Sequence, residues 1–239
     1  MNAYLQSLKK LFEQQANPEN AGPMSQYMRN QFPFLGIKSP QQKALFKQFV
    51  STYGLPDAVQ IEFLVRELWA WPEREYQYVA LSFLSRLKKH LTPEVLPLLE
   101  HIIITKSWWD TVDAIASHNV GSLLLRYPEI RDEALAPWRI SDNIWLRRTA
   151  LLFQLGYNAE TTDEPLLFEI VLENTESKEF FIQKAIGWAL REHSKLRPQA
   201  VQAFVAKNNL APLSRREALK WMKAKGLIEA IEEKVSDRS

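Results

Sequence analysis

Apolar residues recur at intervals of three and four along most of the chain, and prolines divide the pattern into helix-length stretches. Leu5, Leu8, Leu11 and Phe12 mark a first amphipathic helix. SPQQKALFKQFVSTYG predicts a second, with Ser39 as N-cap, Pro40 as first helical residue and Gly54 as the stop. IEFLVRELWAW follows and ends at Pro72. PEREYQYVALSFLSRLKKH is a long helix with Glu73 and Glu75 in its first turn, where carboxylates meet the positive end of the macrodipole. Thr92 and Pro93 open another, carrying Val95, Leu98, Leu99 and Ile102. No NG, DG or GG dipeptide occurs, so two-residue hairpins have no support.

Beyond these elements a unit repeats. EYQYVALSFL, WDTVDAIASH, LRRTALLFQL, FIQKAIGWAL and RREALKWMKA each carry a small Ala followed by Leu or Ile. The anchors Ala80, Ala114, Ala150, Ala185 and Ala218 stand 34, 36, 35 and 33 residues apart. The intervening PEVLPLLEHIIITK, PEIRDEALAPWRI, EPLLFEIVLEN and PQAVQAFVAKN supply one further helix each. Each repeat is therefore a helix pair, and the expected fold is all-α, an α-solenoid of HEAT-like repeats. The period is near that of a TPR, but the TPR signature is missing. One helix of each pair lines the concave side, and the Ala anchors are the expected close contacts between neighbouring second helices.

Composition narrows the chemistry. The 239 residues, 46% hydrophobic, suffice for one large domain or two small ones. The repeats favour a single domain over 1–239, with capping helices at 1–72, regular repeats at 73–225 and a charged tail at 226–239, ending in EEKVSDRS, that is expected to fray. There is no cysteine, which excludes disulfides, iron–sulfur clusters and thiolate zinc. His90, His101, His118 and His193 have no metal-ligand spacing, and no cofactor motif occurs. The first residues lack a signal-peptide core, and no apolar run approaches the ~18 residues that span a membrane. A cytoplasmic monomer with no membrane partner is the expectation.

The net charge of +2 is too small to announce a nucleic-acid binder unless charge is segregated. It is. Lys106, Arg147, Arg148, Lys178, Lys184, Arg191, Arg215 and Arg216 fall on or just before second helices, whereas Glu94, Glu100, Glu129, Asp132, Glu133, Glu164, Glu169 and Glu173 fall on first helices. That is the distribution a phosphate-binding concave face needs, although solvated faces with i,i+4 pairs would look similar. Trp109 and Asp113, four residues apart, share a helix face. Trp188 sits on the equivalent face of its own repeat, and Asp113 and Arg148 occupy neighbouring register positions. An aromatic, a carboxylate and an arginine suit a cationic group joined to a phosphodiester. A core tryptophan with a surface Asp–Arg pair accounts for the same spacing.

At SWWDTVDAI, DNIWLRRTALLFQL and KEFFIQKAIGWALRE the chain resembles the AlkD family of bacterial DNA-alkylation-repair glycosylases, and YMRNQFPFLGI and LSRREALKWMK extend the likeness nearly end to end. The resemblance implies a C-shaped solenoid that clasps double-stranded DNA on a basic concave face and removes N3- and N7-alkylated purines. It implies that Asp113 is the catalytic carboxylate and that Trp109 and Trp188 are aromatic walls beside the damaged nucleotide. Arg148 becomes a backbone-contacting residue of the catalytic site, and Tyr27 a DNA-facing residue. Lys43 joins the basic residues above as a candidate DNA contact. The rivals are a non-catalytic HEAT-like scaffold and a damaged-DNA binder without activity. A metal-dependent nuclease lacks a ligand cluster.

Overall fold

A computed structural model describes residues 3–228, and these are helical throughout, with no strand among them. The expected tail at 226–239 falls almost wholly outside the described residues. The chain divides into two compact units, Met1–Tyr127 and Pro128–Ser239.

The first unit opens with α1 (Ala3–Glu13), α2 (Pro18–Tyr27) and α3 (Ser39–Tyr53). Leu5, Leu8 and Phe12 are the buried face of α1. Asn17 caps α2, its Oδ1 accepting from the backbone N–H groups of Glu19 (3.0 Å) and Asn20 (3.3 Å). α3 starts one residue earlier than expected: Ser39 lies inside it, Lys38 is the N-cap and gives no side-chain cap bond, while Gly54 ends it as predicted. Two helix pairs follow. α4 (Ile61–Ala70) packs with α5 (Arg74–Leu87), and α6 (Leu96–Ile104) precedes a long helix over residues 109–126. Glu73 is the N-cap of α5 and Glu75 lies in its first turn, but the Glu75 side chain leaves the helix end for a neighbouring loop.

The long helix has three stretches: α7 (Trp109–Ala114), a π-helical segment (Ile115–Val120) and α8 (Gly121–Arg126). Apart from Gly121, its buried positions come in pairs every four residues: Thr111 and Val112, Ile115 and Ala116, Asn119 and Val120, Leu123 and Leu124. In a regular α-helix such a row drifts about 40° per step. The wider π turn takes up this drift and keeps one face on the core. Ala114, the last residue before the π segment, is only half-buried, while the anchors Ala80, Ala150, Ala185 and Ala218 are buried.

The second unit holds α9 (Arg131–Arg139), α10 (Ile144–Leu152), α11 (Glu164–Glu173), α12 (Phe180–Ser194), α13 (Pro198–Lys207) and α14 (Pro212–Ala224). The second helices α10, α12 and α14 pack in sequence, each also touching a first helix. α12 and α14 approach closely because residue 187 is glycine. A Cβ there would lie 2.5 Å from the Glu217 Cβ and 2.9 Å from the Ser214 carbonyl oxygen. Acidic first helices are tied together by Arg139 on α9, which pairs with Glu169 and Glu173 on α11, both at 2.7 Å.

Candidate functional site

In the first unit the site is built on α7. Trp109 and Asp113 stand one turn apart on it, both partly exposed. Tyr27, at the end of α2 and 72% exposed, meets Trp109 edge to face, with ring centroids 6.1 Å apart and planes at 78°. Behind them Met28, Phe32 and Phe34 form a buried cluster against which Trp108, Trp109 and Tyr78 pack. A cavity of about 800 Å³ opens beside the aromatic pair, lined by Met24, Phe34, Ile37, Lys43, Tyr78 and Trp109 among others. Lys43 is exposed on its rim.

Two adjacent buried charges on α5 hold this arrangement. Arg74 is fully buried. Its Nε and Nη2 donate to the two oxygens of Asp110 at 2.9 and 2.6 Å, Nη2 also to Thr111 Oγ1 at 2.9 Å, and Nη1 to the Lys106 carbonyl at 2.8 Å. The guanidinium lies 3.8 Å from the centre of the Phe32 ring. Tyr78 donates its hydroxyl to Asp110 at 2.6 Å; burial, reinforced by the Asp110 charge, pushes the Tyr78 pKa up. The first turn of α7, which has no side-chain cap, is thus fixed through Asp110 and Thr111 by the Arg74 guanidinium and the Tyr78 hydroxyl. Glu75, next in sequence, accepts from the backbone N–H groups of Leu35 (3.0 Å), Gly36 (2.9 Å) and Ile37 (3.0 Å). Burial raises the Glu75 pKa and outweighs these bonds, which act to lower it. Gly36 has φ of 87° and its Cα passes so close to Asn17 that a Cβ would overlap the Asn17 carbonyl, so only glycine fits. The α2–α3 connection and α7 are both pinned to the start of α5.

Lys106, read from the sequence as a DNA contact, spends its ammonium group inside the unit. It donates to the carbonyls of Trp71 and Ala70 at the end of α4, and burial together with the Arg74 charge lowers its pKa.

In the second unit Arg148 is only 4% exposed and donates to the Phe181 carbonyl, while Trp145 packs on the Phe181 ring at 5.0 Å. Trp188 on α12 is partly exposed, on the same helix face as Lys184 and Arg191. Both cations are held by Glu217 on α14, Lys184 at 3.0 Å and Arg191 at 2.8 Å. Lys184 and Glu217 occupy the same register position one repeat apart and lie side by side. Burial alone would raise the Glu217 pKa, but the Lys184 hydrogen bond and the charges of Lys184, Arg191 and Lys220 lower it. Lys178 and Arg216 are exposed, Arg147 is partly buried, and Arg215 donates to the Val205 carbonyl at 3.1 Å. The structure therefore gathers Tyr27, Trp109 and Asp113 in one unit, and Trp188, Lys184 and Arg191 in the other. Among the described residues no group of three or more His, Asp or Glu side chains is placed to hold a metal ion. No described helix is long and apolar enough to cross a membrane.

Sequence reasoning missed Arg74, Asp110, Tyr78 and Glu217. The signal for the first two was their separation of 36 residues, one repeat period, at the starts of successive second helices.

The fold and these faces define an all-helical repeat protein that presents aromatic, anionic and cationic side chains from its second helices. It belongs to the family described as DNA alkylation repair enzyme, which matches residues 8–222. A solved structure described as a predicted DNA alkylation repair enzyme from Enterococcus faecalis is 35% identical, with 86% of this chain and 96% of that one covered and a TM-score of 0.80. AlkD2 from Streptococcus mutans shares the fold at 17% identity, with 77% and 89% covered and a TM-score of 0.57. Among curated proteins none matches. The chain is thus a member of an enzyme family of alkylation-damage repair, whose partner is DNA.

Proposed function

We propose that the protein is a monofunctional DNA glycosylase that hydrolyses the N-glycosidic bond of N3- and N7-alkylated purines in duplex DNA. The observation that carries this reading is the pairing of Trp109 with Asp113 on one face of α7, with Tyr27 edge-on to the tryptophan. A purine alkylated at N3 or N7 is cationic and is already a good leaving group, so no general acid has to protonate it. One carboxylate then suffices where glycoside hydrolases commonly use two. Bond cleavage leaves an oxocarbenium-like sugar. The Asp113 carboxylate is the group that stabilises that charge and orients the attacking water.

Trp109 and Trp188 offer π faces to the cationic nucleotide, worth ~0.5–2 kcal/mol each. Arg148 is the arginine assigned to the phosphate beside the lesion, its guanidinium oriented by the Phe181 carbonyl. Lys43, Lys178 and Arg216 are exposed and available to phosphates, whereas Lys184 and Arg191 are partly exposed and paired with Glu217, which a phosphate would have to displace. Hydrolysis needs only water, so no cofactor is called for. The reading is tested by release of free base from alkylated duplex, with Asp113→Asn as the control that separates an enzyme from a binder of damaged DNA.

A further inference from the structure

Three non-glycine residues in the described chain have positive φ: Arg29 (54°), Asn30 (55°) and Lys106 (48°). This region favours glycine and tolerates asparagine, and any other side chain placed there is strained. Lys106 has a visible reason for being a lysine, because its ammonium closes the end of α4. Arg29 has none inside the chain. It is exposed, and its side chain forms no hydrogen bond or ion pair among the described residues.

The turn itself does not require an arginine. α2 ends in a Schellman motif, with the Arg29 N–H bonded to the Gln26 carbonyl at 2.9 Å and the Asn30 N–H to the Ser25 carbonyl at 2.8 Å. α14 ends in the same motif. There the Gly226 N–H bonds to the Lys223 carbonyl at 3.1 Å and the Leu227 N–H to the Met222 carbonyl at 3.0 Å, and the left-handed position is the glycine, at φ 65°. The same chain builds one backbone device twice, once without strain and once with it. Strain kept at a position that glycine would relieve points to use of the side chain.

The position of the turn says what that use is. Arg29 follows Tyr27 by two residues, and the turn is rooted by Met28 and Phe32 in the buried cluster against which Trp109 packs. We infer that Arg29 is a phosphate-binding residue, presented by a strained turn to the backbone of the duplex DNA substrate beside the Tyr27–Trp109 pair. A guanidinium matches a phosphate with two parallel N–H groups and keeps its charge at every working pH. The inference rests on the reading that duplex DNA is the substrate.

The test is binding of the full-length protein to a short undamaged duplex across a salt series, for wild type, Arg29→Gly, Arg29→Gln and Arg29→Lys, with thermal denaturation in parallel. Arg29→Gly is expected to unfold no earlier than wild type, because glycine suits the turn. It should bind about tenfold more weakly, with a log–log salt slope shallower by about 1. Arg29→Lys should keep the slope. Wild-type affinity and slope in Arg29→Gly overturns the inference. Should glycine loosen the fold, Arg29→Gln decides instead, and its wild-type affinity overturns it equally. A wild type that binds duplex but releases no base refutes the glycosylase reading alone, and the same titration still decides the role of Arg29. A wild type that binds no duplex refutes both.

Discussion

Arg74 and Asp110 meet in a two-point contact, at 2.9 and 2.6 Å, with the arginine side chain fully buried and the aspartate nearly so. The pair joins the first residue of α5 to the second residue of α7, the helix that carries Trp109 and Asp113. A buried ion pair is often no more stabilising than apolar packing, yet removing one member leaves the other charge stranded. Arg74→Met is therefore expected to cost about 3–5 kcal/mol in urea unfolding. The double variant Arg74→Met/Asp110→Asn should recover part of that loss, because no charge is then left unpaired. Additive losses in the double variant would show that the two side chains act independently.

The repeat was legible in the sequence because its anchors are small and buried. Ala80, Ala150, Ala185 and Ala218 keep nearly constant spacing for the plain reason that second helices pack through them. Ala114 fits the spacing but not the burial. The helix widens directly after it, and a period of 3.6 has no place for a π segment. Its trace was nonetheless present in Val112, Ala116, Val120 and Leu124, four apart throughout. Trp109, Asp113 and Trp188 could be placed on helix faces by counting. The partners of charged residues could not. Lys106 lies in a basic series yet turns inward to carbonyl groups, and Glu217, acidic in a basic setting, turns out to hold two of the expected cations. Backbone carbonyls and cross-helix partners have no sequence pattern, and long side chains choose between them by geometry.

Glu75 gives a pH signature. Its carboxyl group has a raised pKa in the fold, so the folded protein holds this proton more tightly than the unfolded chain, whose value is near 4.5. The stabilising contribution of that proton is complete below the unfolded value and is lost as pH rises through the folded one. The stability of wild type minus that of Glu75→Gln should fall as pH rises from below 4.5 and then level off. At every pH the variant also loses one of the three bonds to Leu35, Gly36 and Ile37, a cost of about 1–3 kcal/mol. A stability difference that does not change with pH would contradict the raised value.

Glu217 makes the opposite prediction. Its pKa is lowered in the fold, so its contribution is present above the unfolded value of 4.5 and is lost as pH falls through the folded one. Glu217→Gln should therefore cost about 1 kcal/mol at neutral pH and little in acid. Because Glu217 holds Lys184 and Arg191, the same variant should bind duplex DNA severalfold more tightly at low salt, with the gain shrinking as salt rises. Titration by fluorescence anisotropy checks this. Unchanged affinity would remove Lys184 and Arg191 from the DNA-facing set.

Asp113 is proposed to serve an enzyme that expels alkylated purines. The most direct measurement incubates the protein with duplex DNA carrying a single N7-methylguanine and follows free base against a protein-free control, for wild type and Asp113→Asn. Wild type is expected to release base well above the spontaneous rate. Asp113→Asn should lose about a hundredfold or more of that rate and keep nearly the same affinity for the duplex. Equal release by both proteins would contradict the role of Asp113. Tight binding by both, with no release of this base or of an N3-methyladenine, would contradict the glycosylase itself.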